Sequence, residues 1–238
     1  MREDVYKRHI ENVDKHWWFQ ARKNIINNSI RKNISKKNAK ILDYGAGSGV
    51  NILMLSKFGK IYIYEPHIIT KKHLKKKFNN KKYNFVNSLK NKKFDLIILA
   101  DVLEHIKNDY KAIKILTKNL NKNGKILITV PAFQGLFTHK DIVLNHYRRY
   151  NISRIKKVFK NFITLKLSYF NFFLFLPLSL SLLILKTFKV KDFIENVEKK
   201  PNLIFNKLFF FIFNLESKII NYFNFPFGIS ILGIFEKR

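Results

Sequence analysis

From residue 40 onward, apolar and polar positions along this chain switch repeatedly between two periods. Short runs rich in β-branched residues predict strands at Lys40–Tyr44, Lys60–Glu65, Tyr83–Val86, Phe94–Ala100 and Lys125–Val130. Between them, Val50–Phe58, Ile69–Phe78 and Asp109–Leu120 carry apolar residues at helical spacing, and the last runs into "NKNG", a predicted turn closing on Gly124. The run "FDLIILA" is apolar almost throughout, as a strand buried on both faces of a parallel sheet must be. Strand and helix in alternation imply a doubly wound α/β sheet with right-handed crossovers, whose ligands bind at the carboxyl ends of the strands.

The pattern differs at the two ends. Upstream, "DKHWWFQARKNIINNSIRKNI" (14–34) predicts a helix with aromatic and aliphatic positions along one side. Trp17, Trp18 and Phe19 either pack on the sheet edge or form a lid over the ligand cleft, with Arg22 available for a carboxylate. Downstream, Leu167–Leu185 carries no charge over 19 residues, close to the roughly 20 of a membrane span. A second apolar stretch, Leu203–Leu215, is shorter and interrupted by Lys207, and "FPFGISILGIFEKR" predicts a turn followed by a strand. No repeat or Gly/Ser linker divides the chain, so a single domain is expected.

Composition narrows the picture only in part. The chain has no cysteine, which excludes disulfides, thiolate metal sites and a cysteine nucleophile, and suits a reducing, cytoplasmic setting. The first residues, "MREDVYKRHIENVDKHWW", lack the apolar core of a secretory signal. With 46 Lys+Arg against 16 Asp+Glu the formal charge is +30, which suits an anionic partner, either nucleic acid or an anionic membrane surface. Lysines in runs such as "KKHLKKKFNNKKYN" (71–84) are dispersed, however, and mark no single face.

The most informative stretch is "ILDYGAGSG" (41–49), a strand end running into three glycines at alternate positions. A phosphate-cradling P-loop would need Gly-Lys-Ser/Thr, and Gly49 is followed by Val50-Asn51. The dinucleotide fingerprint Gly-x-Gly-x-x-Gly would need glycine at position 50, where Val50 stands. Beside this loop stand "YIYEP" (62–66), "FDLIILADVLEHI" (94–106) and "LNKNGKILITVP" (120–131). Together and in this order they resemble the class I S-adenosylmethionine (SAM)-dependent methyltransferases, in the small-molecule branch. The resemblance covers roughly Lys40 to Pro131. The later stretch "HYRRY" (146–150) is similar to members associated with cell-surface glycan or lipid biosynthesis.

That resemblance implies a Rossmann-like seven-stranded sheet with helices on both faces and an antiparallel last strand. The sixth strand is expected near Phe162–Tyr169 and the seventh near Gly228–Phe235. An apolar helical insertion would then lie between strands six and seven, with 1–36 as an N-terminal helical lid, 38–170 as the core, 171–225 as the insertion and 226–238 as the last strand. Both flanking strands belong to one sheet, so a membrane excursion between them must cross an even number of times. The loop between two spans would carry Lys186, Lys189, Lys191, Lys199 and Lys200, against the positive-inside tendency. A pair of helices lying in the membrane interface, or capping an apolar acceptor, is the expectation, with a buried dimer surface as the alternative.

For the site, the resemblance implies SAM held by Asp43, Tyr44, Gly45, Ala46, Gly47, Gly49, Glu65, Pro66, Ser88, Asp101 and Val102. The glycines let the backbone approach the ligand. Asp43 steadies the turn or meets the ligand's ammonium through water, and Glu65 offers two oxygens to the ribose hydroxyls. Asn87 and Ser88 stand where an adenine contact is made, although relatives often have Asp there. Methyl transfer to an oxygen needs alignment and a base. Asp101, Glu104 and His105, spaced i, i+3, i+4, are expected on one face of a helical turn, with His105, Asp101 and His139 as catalytic candidates and no metal assigned. His139, Asp141, His146, Arg148 and Arg149 crowd where this fold builds its acceptor pocket, and the arginine pair could hold a phosphate or carboxylate. The expected partner is a small-molecule, glycan or lipid-linked acceptor, for a cytoplasmic protein sitting peripherally at the inner membrane face. RNA methylation is the runner-up, although "ADVLEH" lacks the Asn/Asp-Pro-Pro-aromatic motif of exocyclic-amine enzymes. A non-catalytic, membrane-associated SAM-fold binding protein is a third possibility.

Overall fold

A computed structural model describes residues 10–80, 82–187 and 202–238. In chain order the described elements are α1 (Trp17–Asn33), β1 (Ala39–Tyr44), α2 (Ile52–Leu55), β2 (Gly59–Tyr64), α3 (Ile68–Lys77), β3 (Tyr83–Phe85) and β4 (Phe94–Ala100). There follow α4 (Asp109–Lys118), β5 (Leu120–Pro131), α5 (His139–Val143), α6 (Ile152–Val158), β6 (Phe162–Phe170), α7 (Phe175–Thr187), α8 (Leu203–Ile219) and β7 (Ser230–Lys237). Single 3₁₀ turns occupy Leu103–His105 and Gln134–Leu136.

The strands form one sheet in the order β3-β2-β1-β4-β5-β7-β6. The first five pair in parallel, while β7 runs antiparallel to both β5 and β6. This is the Rossmann-like methyltransferase sheet expected above. The chain leaves β1 toward one edge and returns at β4 toward the other, so the strand order reverses between them. A crevice opens at the carboxyl ends of β1 and β4 for that topological reason. Ile41, Leu42, Leu96, Ile97, Ile98, Leu99, Ile126 and Ile128 are fully buried, which explains why these strands are apolar on both faces.

Two local expectations are corrected. The helix expected over Val50–Phe58 contracts to the four residues Ile52–Leu55. Asn51 gives the helix no side-chain cap, and residues 56–58 turn directly into β2 at Gly59. The "NKNG" stretch lies inside β5 and does not separate a helix from a strand. The pairing jumps from Phe94–Leu120 to Leu96–Lys125, and Asn123 takes a positive φ of 58°, so the turn residues are absorbed as a wide bulge in the ladder.

The two ends of the chain meet. α1 packs along α8, with Trp17 against Phe209 and Phe213, and Trp18 against Phe213 and Phe170. Trp17 is buried, so these aromatic rings pack between elements. A polar ladder locks the same face. The Asn206 side chain accepts from the Trp17 amide and donates to the Lys15 carbonyl, Asn24 donates to Asn214, and Asn28 donates to the Ser217 carbonyl. α7 and α8 lie between β6 and β7 in sequence, and Pro177 stands in the first turn of α7, where a missing amide costs nothing. No helix among the described residues is long and apolar enough to cross a membrane. The lysines of 189–200 lie outside the described residues.

Candidate active site

The glycine loop follows β1 directly and turns on three positive-φ glycines, Gly45, Gly47 and Gly49. At Gly45 (φ +72°) a Cβ would fall 2.8 Å from the Val102 side chain, so glycine serves both the turn and the close approach to the loop after β4. Gly47 (φ +56°) is the opposite case. A Cβ there would meet nothing within 4 Å, and the space beside the loop is open. The loop is tied to the neighbouring strand, since the Gly45 amide donates to the Tyr64 carbonyl (2.8 Å) and Tyr44 stacks on Tyr64.

Two carboxylates face this loop. Glu65 is buried at the end of β2 and accepts from the Gly47 amide at 2.8 Å and the His67 amide at 2.8 Å, one on each oxygen. A carboxylate has about four lone-pair sites, so both oxygens can still accept from a diol. Asp43 is buried at the end of β1 and its Oδ2 has no hydrogen-bond partner. Burial, then the neighbouring Glu65 charge, pushes its carboxyl up to about 7 against the pull of Arg22. A buried carboxylate left short of a donor, next to open space at Gly47, suits a cationic ligand group such as an ammonium. Farther out, Pro66 is exposed, and the exposed Asn87 and Ser88 are engaged locally, Asn87 by Lys71 and Ser88 by the Lys90 amide.

Arg22, from α1, is the buried cation among these acids. It pairs with Asp101 and lies close enough to Glu104 and Asp43 to be held up by both charges, although burial brings it down to about 10. Asp101 also accepts from the Thr129 hydroxyl at 2.8 Å. The expected helical face of Asp101, Glu104 and His105 is not formed. Asp101 takes a left-handed φ of 56°, and only Leu103–His105 wind into a single 3₁₀ turn. Asp101 therefore turns toward Arg22 and β5, while Glu104 and His105 join a second cluster.

In that cluster, ligand atoms of Glu104, His105 and His146 all lie within 4.8 Å of one another, a spacing compatible with a bound cation. The His105 and His146 rings meet edge to face at 4.6 Å. Burial, then His146, brings the His105 imidazole down to about 4, so it is neutral at physiological pH. Burial pushes Glu104 up to about 8, and its Oε2 has no partner. His146 Nδ1 sits 2.8 Å from Asp141 Oδ1. His139, exposed at the start of α5, is not a member of this cluster.

The arginine pair that seemed available for an acceptor is committed internally. Arg149 makes a two-pronged pair with Asp141 at 3.0 and 2.9 Å, both groups buried. Arg148 donates to the Ile106 and Lys107 carbonyls. The Tyr147 amide donates to the Glu104 carbonyl and the Tyr150 hydroxyl to the Leu103 carbonyl. His105 is itself hydrogen-bonded to the backbone at 144 and 145. The segment 138–150 thus clamps the 3₁₀ turn that carries Glu104 and His105. Sequence reasoning missed the His146–Asp141 pair as part of this unit, because the partners it serves lie some 40 positions upstream. The crowding of polar residues in "THKDIVLNHYRRY" was the one signal for it.

A family model described as a methyltransferase domain matches residues 17–162. No curated protein matches the chain. Among solved structures, the chain resembles a protein described as a sarcosine dimethylglycine methyltransferase from Galdieria sulphuraria, with a TM-score of 0.58, 15% identity, and coverage of 90% of this chain and 83% of that one. It also resembles the N-methyltransferase NodS of Bradyrhizobium japonicum in complex with S-adenosyl-L-homocysteine, with a TM-score of 0.55, 14% identity, and coverage of 69% and 87%. A third is coclaurine N-methyltransferase bound to N-methylheliamine and S-adenosyl-L-homocysteine, with a TM-score of 0.55, 12% identity, and coverage of 88% and 70%. At these identities the structures speak to the fold.

Proposed function

This chain belongs to the methyltransferase domain family, of the class I SAM-dependent kind, and we propose that it methylates an oxygen of a small-molecule, glycan or lipid-linked acceptor. The observation that carries the cofactor site is the open space at Gly47 beside the unpartnered Asp43 carboxylate and the backbone-anchored Glu65. SAM supplies an activated methyl group on a sulfonium.

The residues proposed to hold it are the loop Tyr44–Gly49, with Asp43 meeting the ammonium and Glu65 the ribose hydroxyls, and Pro66, Ser88, Asp101 and Val102 bordering the rest. Arg22, paired with Asp101, stands ready to exchange that partner for the ligand's carboxylate. His105 is proposed as the base that takes the acceptor's proton. Its neutral imidazole is available for this, beside Glu104 and the Asp141-paired His146. Asp101 would orient the acceptor, and His139 is the alternative base.

A second reading, methylation of an amine, is favoured by one observation. Asp43 and Glu65, at the ends of β1 and β2, put acidic groups at the cleft of a chain whose net charge is +30, which would draw in an amine, and two similar structures are named N-methyltransferases. The same acidity weighs against RNA, whose phosphates such a cleft would repel. A lipid-linked acceptor would place the protein in the cytoplasm, peripherally at the inner membrane face.

Calorimetric titration with SAM tests the site. The wild type binds, whereas Gly47→Arg fills the open space and Glu65→Ala removes the diol acceptor, and each loses binding. Unchanged affinity in both variants would sink the assignment. Transfer of labelled methyl into fractionated extract, with identification of the product, separates oxygen from nitrogen acceptors.

A further inference from the structure

α8 is built inside out. Its polar residues Asn206, Glu216 and Ser217 are buried against the protein. Glu216 is fully buried and accepts from three consecutive amides, Asn171, Phe172 and Phe173, at 2.6, 2.8 and 3.1 Å. The outward stripe is Ile204, Leu208, Phe211, Leu215 and Ile219, spaced at helical period, with Ile204 73% and Phe211 64% exposed. α7 likewise exposes Leu176, Leu180, Leu183 and Ile184, with one serine, Ser179, buried and the other, Ser181, exposed. Tyr222 and Phe223, just past α8, are exposed as well. A helix in water would turn these faces the other way, because every exposed apolar side chain forgoes its burial free energy.

Among the described residues between Phe170 and Ser230, the exposed charges on this face have one sign. Lys207 and Lys218 are exposed on α8 and flank the apolar stripe, Lys32 stands over the Tyr222 ring at 4.1 Å, and Lys186 ends α7. Between Phe170 and Ser230 the only acid among the described residues is Glu216, which is buried. An apolar stripe flanked by lysines, with no exposed acid among the described residues of α7 and α8, is complementary to the headgroup–acyl boundary of an anionic bilayer. Over the described residues, neither helix is long and apolar enough to cross one. We propose that the outward faces of α7 and α8 seat this protein in the surface of an anionic phospholipid bilayer, with α8 lying in the interfacial plane. This deepens the peripheral reading above and rests on it, but it does not depend on which atom is methylated.

The test is flotation of the full chain with vesicles of phosphatidylcholine alone and of phosphatidylcholine with one quarter phosphatidylglycerol. The wild type is expected to float with the anionic vesicles, less so in high salt and much less with the neutral ones. Phe211→Glu combined with Ile204→Glu should abolish flotation. Lys207→Gln with Lys218→Gln should weaken it by about fivefold per lysine. Ile115→Glu, on the exposed side of α4, should float as the wild type does. Thermal melts and SAM titration of each variant report folding and the cofactor site separately. Loss of flotation with intact SAM binding is the expected signature in the Phe211 variant, and loss of both counts against the proposal. The proposal is overturned if the wild type stays below the anionic vesicles, or if the Phe211 variant floats unchanged. It is equally overturned if sedimentation shows a dimer that this variant dissociates in the absence of any lipid binding, because a second copy would then cover the face.

Discussion

Replacing Asp141 by alanine should unlock the clamp over the 3₁₀ turn. Asp141 is buried and serves three residues at once: Arg149 through both Nε and a terminal nitrogen, His146 Nδ1, and the Thr138 amide at 2.8 Å. Removing the carboxylate leaves the buried Arg149 guanidinium without its hydrogen-bonded partner, and breaking one side of such a pair costs about 3–5 kcal/mol. For a chain of this size that corresponds to a loss of roughly 6–20 °C in Tm. Urea unfolding followed through the emission of Trp17 and Trp18 measures the cost directly. The pair hypothesis makes a sharper demand. Asp141→Ala with Arg149→Met should recover part of the loss, because the unpaired charge goes with its partner. The pH dependence has a fixed sign. His146 and Arg149 hold the Asp141 carboxyl, despite its burial, well below the usual carboxylate range. The stabilisation is therefore present at and above the unfolded carboxylate's pKa and is lost as the pH falls toward the folded one. A single-variant cost under about 1 kcal/mol, the low end for a buried group losing its partners, would refute the clamp. So would a double variant no more stable than Asp141→Ala.

Two further outcomes follow from the neighbouring groups. With His105 brought down to about 4, kcat at saturating SAM should stay level from neutral pH down to about 5 and fall only as the imidazole protonates. His105→Ala should lower kcat by about 10²–10⁴-fold with SAM affinity unchanged, and a variant retaining full kcat would remove His105 as the base. Glu104 is raised to about 8 by burial, above its unfolded value, so its contribution to stability is complete at low pH and is lost as the pH rises through the folded value. The urea midpoint should drop between about pH 5 and 8, and Glu104→Gln should flatten that slope. An identical slope in the variant would assign the titration to another group.

Much of this molecule is determined by local pattern. The apolar runs of β1, β4 and β5 name their strands because a parallel strand buried on both faces admits almost no polar residue. The positive-φ glycines after β1 and the acid at the end of β2 mark a ligand loop for equally local reasons, one backbone conformational and the other a matter of register. The neighbouring details needed contacts that sequence spacing does not encode. Asp101, Glu104 and His105 look like one helical face, but a left-handed residue at Asp101 sends its carboxylate to Arg22, 79 positions away, and leaves the other two to a different cluster. Arg148 and Arg149 look like ligands for a free anion until Asp141 and the carbonyls of Ile106 and Lys107 are seen to claim them. The apolar tail is legible as unusual, yet only the packing of α1 on α8 decides which side of α8 faces inward. The asparagines and Glu216 of that helix find their donors and acceptors around α1 and just past β6, so their burial leaves no hydrogen bond unmade. The sequence by itself determined the strands, the cofactor loop and the family. The partners of buried charges, and which helix face meets the outside, were left to tertiary structure, because both depend on groups far apart along the chain.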